Sequence, residues 1–275
     1  MVLSLSSVPT DRRTDTDDRR YDAITVFPGR DSTSVTTVIP APSELFATRT
    51  HPLAVPILFD MDGVVLEGPR TDQQVYDDAA DAALDAFGVD PTPAQRRTLR
   101  RTDIDAIDTV CEQLGIETDR FWAQKESFAS AGTHERIRSG ARKVYDDVDA
   151  IADLASRTSI GLVTNNRHET ARFVANYLDT AFGASFDVVL GREPTVEGYR
   201  RRKPDPSYIE QALTELGADD GIYVGDRPKD VTAGRAAGLE TAFLWRPHNR
   251  SRECPPAATY ELESLVELDR LPLDS

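Results

Sequence analysis

Five short, continuous apolar runs do most to limit what this chain can fold into: VPILF (55–59), SIGLVT (159–164), FDVVL (186–190), GIYVG (221–225) and TAFLW (241–245). None is long enough for a buried helix, and none shows the alternation of a strand with one wet face. Such runs read as parallel strands covered on both faces. Between the later ones lie helical patterns, HETARFVANYLDTAFG and PDPSYIEQALTELG, each ending in the glycine that commonly stops a helix. Strands alternating with helices predict an α/β fold, a Rossmann-like doubly wound parallel sheet.

One interval is too long for a crossover. About ninety residues separate Gly68 from Ser159, where a βαβ link needs roughly a dozen. The interval contains helix-like segments: TDQQVYDDAADAALDAFG, PAQRRTLRR, DIDAIDTVCEQLG and DRFWAQKESFASAG. They predict a helical domain inserted after the first strand, over 70–140, with residues 53–69 and 141–275 forming the core. YDDVDAIADLASR (145–157) reads as the helix leading back into the sheet. Cys111, Trp122 and Phe128 read as the interior of the insertion. Lys125, His134, Arg136 and Arg138 read as surface positions and candidate substrate readers. Residues 1–52 are polar, and DRRTDTDDRR cannot build a core, so this extension is expected to be disordered or at most a marginal hairpin. ATYEL and SLVELDRL in the tail suggest an edge strand and a short helix.

Charge narrows the partners. Forty-seven acidic against 32 basic residues give a net charge of −15, which disfavours nucleic acid and anionic membranes. Lysine occurs only at 125, 143, 203 and 229, and the Asp-loaded composition looks like adaptation to high salt. Cys111 and Cys254 make no disulfide framework, no run approaches the roughly 18 apolar residues of a membrane span, and the first residues make a poor signal peptide. A cytoplasmic location is expected. Oligomeric state is not legible.

In open parallel sheets, sites form at the carboxyl ends of the strands. The first run delivers Asp60 and Asp62, the second Thr164, Asn165 and Asn166. RRRKPDP after the third delivers Lys203, and VGDRPKD after the fourth delivers Asp226 and Asp230. In extended chain, residues i and i+2 point the same way, so Asp60 and Asp62 can share a site while Met61 faces elsewhere. Crowded carboxylates call for a hard divalent cation with oxygen ligands. Taken singly, each motif has a plainer reading: Asp-Gly makes turns, Thr164 suits a strand, Asp230 suits a first helical turn, and Arg200–Arg202 suit a solvated loop.

Taken together, FDMDGVV, LVTN, KPDP and VGDRPKDVTAGRAAG, in this order over 54–247, resemble the four motifs of the haloacid dehalogenase superfamily, and most closely its phosphoglycolate phosphatase-like enzymes. The resemblance implies a Rossmann-like core with a helical cap, a Mg²⁺ requirement and an aspartyl-phosphate intermediate on a small phosphorylated substrate. It implies that Asp60 is the nucleophile and Asp62 the general acid and base. It implies Mg²⁺ on the Asp60 side chain, the Asp62 carbonyl and Asp226, with Asp230 either near the metal or orienting Lys203. Thr164, Lys203 and the backbone around Met61 and Asn165 would hold phosphate. A phosphomutase, a phosphonate hydrolase using Lys125 and a non-catalytic phosphate-ligand binder remain alternatives. Glu67 stands where many relatives carry Asp.

Overall fold

The computed structural model describes residues 55–68 and 70–272; the extension read over 1–52 lies outside them. Six parallel strands, β1 (Ile57–Phe59), β2 (Ile160–Arg167), β3 (Val188–Arg192), β4 (Ile222–Gly225), β5 (Glu240–Leu244) and β6 (Tyr260–Leu262), form one sheet in the order β3-β2-β1-β4-β5-β6. The five apolar runs occupy β1 to β5, and the tail adds the edge strand β6 followed by a 3₁₀ turn at Leu265–Arg270. Ile57 and Phe59 face one apolar layer with Leu162 and Val224, while Leu58, Val163 and Tyr223 face the other. Both faces are covered, which is why these strands read as continuous rather than alternating.

Between β1 and β2 the chain makes α1 (Gln73–Phe87), α2 (Pro93–Leu99), α3 (Ile104–Leu114), α4 (Thr118–Arg138) and α5 (Asp149–Ala155). The first four form the cap. Their ends are written locally. Asp72 caps α1 and Gly88 ends it in the left-handed conformation, Thr92 and Gln95 form a capping box on α2, and Asp103 caps α3 before Gly115 ends it. Ala83, Leu84, Leu99, Ile107, Cys111, Phe121 and Trp122 make the cap interior.

Three local expectations need correction. α4 does not stop at Gly132 but runs through it for 21 residues; a Cβ there would come 3.1 Å from Val75 Cγ1, so the glycine serves close packing against α1 rather than termination. α5 is shorter than the 145–157 pattern, because Lys143–Tyr145 pair with the exit strand instead: Glu67 N donates to Lys143 O at 2.8 Å and Tyr145 N to Val65 O at 3.0 Å. Lys125 and His134 are buried, not surface. Lys125 Nζ donates to the Leu99 and Arg101 carbonyls, both at 2.7 Å, and burial pushes its ammonium down to about 8. His134 stacks on Phe173 of α6 (His168–Phe182), ring centroids 4.1 Å apart, and burial pushes it down to about 4.

The cap meets the core through buried charge. Arg192, at the end of β3, lies 2.6 Å from Glu126 on α4. Arg167, at the end of β2, donates to the Ala129 carbonyl at 3.2 Å, Thr133 Oγ1 at 2.8 Å and Ser130 Oγ at 3.1 Å. All three charged side chains are at most 5% exposed. Among the described residues, no helix is long and apolar enough to cross a membrane.

Candidate active site

The β1 ladder runs straight into the site: Asp60 N donates to Val224 O at 2.9 Å, so the loops after β1 and β4 leave the sheet side by side. This is where strand order reverses, the usual crevice of an open α/β sheet. A tight turn follows, with the Met61 carbonyl accepting from Val65 N at 3.1 Å and Leu66 N at 3.0 Å. Gly63 sits in it at φ +88°, and a Cβ there would fall 2.4 Å from Asp226 Oδ2. Only glycine allows both that backbone and that approach.

Asp60, Asp226 and Asp230 each offer an oxygen, all within 4.8 Å of one another and all buried. Lys203 answers two of them, its ammonium 2.9 Å from Asp60 Oδ1 and 2.8 Å from Asp230 Oδ1. These are close ion pairs; the ammonium's hydrogen bonds go to Tyr223 Oη at 2.5 Å and Val163 O at 3.3 Å. Burial pushes the Asp60 carboxyl up, but Lys203 and then Lys229 outweigh it and hold it below the usual carboxylate range. Burial opposes the Lys203 charge in turn, yet Asp230 and Asp60 raise its pKa well above normal. Asp230 ends at about 6, because burial exceeds what Lys203 returns. Asp226 is also raised by burial, and its Oδ1 is buried with no hydrogen-bond partner. An all-oxygen cluster with an unpartnered carboxylate oxygen fits a hard divalent cation.

The Asp62 carboxylate stands outside this cluster. It accepts from Arg142 Nη2 at 2.6 Å and Asn166 Nδ2 at 2.9 Å. Any part it takes in holding a cation therefore falls to its carbonyl. Asn165 clamps the loop of Lys203: its Nδ2 donates to Lys203 O at 2.9 Å and its Oδ1 accepts from Lys203 N at 2.8 Å. Thr164 Oγ1 accepts from Asn166 N at 3.2 Å. Met61 buries its side chain in the core.

A cavity of about 140 Å³ opens on Asp60, Asp62, Thr164 and Asn165. Its remaining walls include Arg70, Tyr76, Arg202, Arg227 and Lys229, none of them singled out in the sequence as site residues. Of the arginine triplet, Arg202 lines this cavity, its guanidinium 3.3 Å from the Tyr199 ring centroid, while Arg201 lies over the Tyr208 ring at 5.1 Å. Lys125 is not among the lining residues, its ammonium being spent on cap carbonyls.

Residues 57–238 match the family model of haloacid dehalogenase-like hydrolases. The chain belongs to that family. Among curated proteins, this hydrolase is 30% identical over 221 residues to a phosphoglycolate phosphatase of Xylella fastidiosa, covering 78% of this chain and 90% of that one. It is 32% identical over 138 residues to the pyrophosphatase PpaX of Bacillus velezensis, a match spanning 49% of this chain and only 60% of that enzyme. Among solved structures, CbbY from Rhodobacter sphaeroides in complex with phosphate superposes with a TM-score of 0.53 at 21% identity, covering 78% of this chain and 96% of that one. At that identity the likeness speaks for the fold.

Proposed function

We propose that this hydrolase is a Mg²⁺-dependent phosphatase acting on a small phosphate monoester through a phosphoaspartate on Asp60. The observation that carries the reading is the Asp60 carboxylate: buried, kept ionised by Lys203, and open to the cavity it shares with Asp62 and Thr164. A carboxylate so placed attacks phosphorus in line and splits one hard hydrolysis into two steps. Asp62 gives a proton to the leaving oxygen and then takes one from water. Lys203 sets its charge against the transferring phosphoryl group. The Thr164 hydroxyl and the amides near Met61 and Asn165 hold its oxygens. Asp230 orients Lys203, from which it lies 2.8 Å. Asp60, the Asp62 carbonyl and Asp226 are the residues to hold Mg²⁺, which when bound neutralises crowded negative charge and polarises the phosphoryl oxygens. Residues 70–140 act as the cap, and 53–69 with 141–275 as the catalytic core. The expected setting is the cytoplasm.

The cavity walls narrow the substrate. In a chain of net charge −15, four cationic side chains, Arg70, Arg202, Arg227 and Lys229, line one small cavity. One phosphoryl group, already faced by Lys203, does not need them all. A small ester carrying a second anionic group suits them, in keeping with the phosphoglycolate phosphatases among the relatives. The same basic walls favour a second reading, hydrolysis of a phosphoanhydride, as the name of PpaX suggests for that relative.

The test is a panel of phosphate esters and pyrophosphate in molar KCl, scored by released phosphate with and without Mg²⁺. Mg²⁺-dependent release is expected from wild type and none from Asp60→Asn. Turnover by Asp60→Asn at the wild-type rate refutes the reading.

A further inference from the structure

The chain leaving β5 makes a tight turn over Arg246–Asn249. Asn249 N donates to Arg246 O at 3.1 Å, and Asn249 Oδ1 accepts from Arg246 N at 2.7 Å. The turn is anchored by the Arg246 guanidinium, which reaches Asp147 at 2.8 and 2.9 Å and the Val64 carbonyl at 2.7 Å. Its last two residues both address Asp226. Asn249 Nδ2 donates to the Asp226 carbonyl at 2.9 Å, and His248 Nε2 lies 2.6 Å from Asp226 Oδ2. An ionised carboxylate only accepts, so Nε2 carries the hydrogen. The other ring nitrogen, Nδ1, faces the Tyr145 hydroxyl at 3.5 Å.

Asp226 stands apart from its two neighbours. Lys203 pairs with Asp60 and Asp230. Among the described residues, the nitrogen groups within ion-pairing distance of Asp226 are the His248 imidazole and, at 3.9 Å, Arg227 Nε. One Asp226 oxygen is therefore held by the imidazole while the other, Oδ1, is buried and unpartnered.

We propose that His248 is a positioning residue for the cation site: it fixes the Asp226 carboxylate by Oδ2 so that Oδ1 is presented to the metal. This rests on the metal reading above. The terminal torsion of an aspartate is broad and nearly two-fold. An unheld carboxylate loses freedom when it binds a cation, and one held by a donor does not. Outer hydrogen bonds of this kind typically contribute 10–100-fold in metal affinity. The turn after β5 thus joins the loops after β1 and β4 in building the site.

The experiment titrates the full-length chain with Mn²⁺ alone, counting free ion by electron paramagnetic resonance. Asp226→Asn should abolish binding. His248→Leu should raise the Kd at least about tenfold, and His248→Gln, which keeps a donor on a similar reach, should stay within about threefold of wild type. His248→Ala, read on the same scale, stands in if the leucine variant does not fold. A wild-type Kd in the leucine or alanine variant overturns the role, as does a glutamine variant no better than leucine. No Mn²⁺ binding by wild type overturns the metal reading itself, and with it this role.

Discussion

Replacing Lys203 with methionine tests the charge balance of the site. Methionine nearly matches the lysine stem in volume and removes the charge together with the donors to Tyr223 Oη and Val163 O. In the native chain the ammonium lies 2.9 Å from Asp60 and 2.8 Å from Asp230, with all three side chains at most 5% exposed. At an effective dielectric constant of about 20, each contact is worth about 6 kcal/mol of attraction, much of it offset by desolvation. Removing one partner of a buried pair nevertheless costs about 3–5 kcal/mol, because the surviving charges stay buried. Two carboxylates lose their partner here, so Lys203→Met should reach the upper end of that range in EDTA at pH 7.5, lowering Tm by roughly 10 °C or more. The loss should shrink by pH 5. Without the ammonium the folded pKa values of Asp60 and Asp230 rise, and a carboxyl raised above its unfolded value contributes stability at low pH that vanishes as pH climbs through the folded pKa. The assay is urea unfolding of both proteins at the two pH values in EDTA. A variant as stable as wild type at pH 7.5, or a deficit unchanged between the two pH values, refutes the reasoning. Activity should fall at least about 10²-fold, the usual cost of losing one preorganised electrostatic contact to the transition state.

Three further outcomes follow from the same cluster. Gly63→Ala combines a positive φ with a Cβ 2.4 Å from Asp226 Oδ2; it should destabilise by at least about 1–3 kcal/mol and weaken Mn²⁺ binding, read by thermal unfolding and titration. In EDTA the stability difference between wild type and Asp230→Asn should shift in favour of wild type from pH 7 to pH 5, because Asp230, at about 6 in the fold, favours its protonated form there, while His134, at about 4, titrates alike in both proteins. Since burial also raises Asp226, Mg²⁺ should increase Tm less at pH 5 than at pH 7, and differential scanning fluorimetry with and without Mg²⁺ at each pH decides it.

The sheet was legible because Ile57–Phe59 and Ile222–Gly225 are buried on both faces and carry no alternation. Asp60, Lys203, Asp226 and Asp230 were legible because strand ends in a parallel sheet converge wherever their helices go. What escaped depends on long-range contact. Arg142 meets Asp62 across 80 residues of chain, the contact of Asn166 with Asp62 spans 104, and Tyr76 reaches the cavity only after the cap folds over the core. His248 escaped because it lies beyond the four motifs, in the turn after β5, although β5 pairs with β4 and that turn lands beside Asp226. Lys125 and His134 look solvated in sequence because their partners, two carbonyls and a phenyl ring, leave no pattern in the helix that bears them.

The buried contact of Glu126 with Arg192, and of Arg167 with Ser130 and Thr133, bears on how such hydrolases can be recombined. A cap joined by two short linkers invites exchange between relatives as a self-contained part. Here the two halves share side chains that neither can leave unpartnered: a transplanted cap lacking the Glu126, Ser130 and Thr133 positions would strand two guanidinium groups in the interface. Any graft must carry the ends of β2 and β3 along with α4, so the unit of inheritance is the cap together with the strand ends that plug into it.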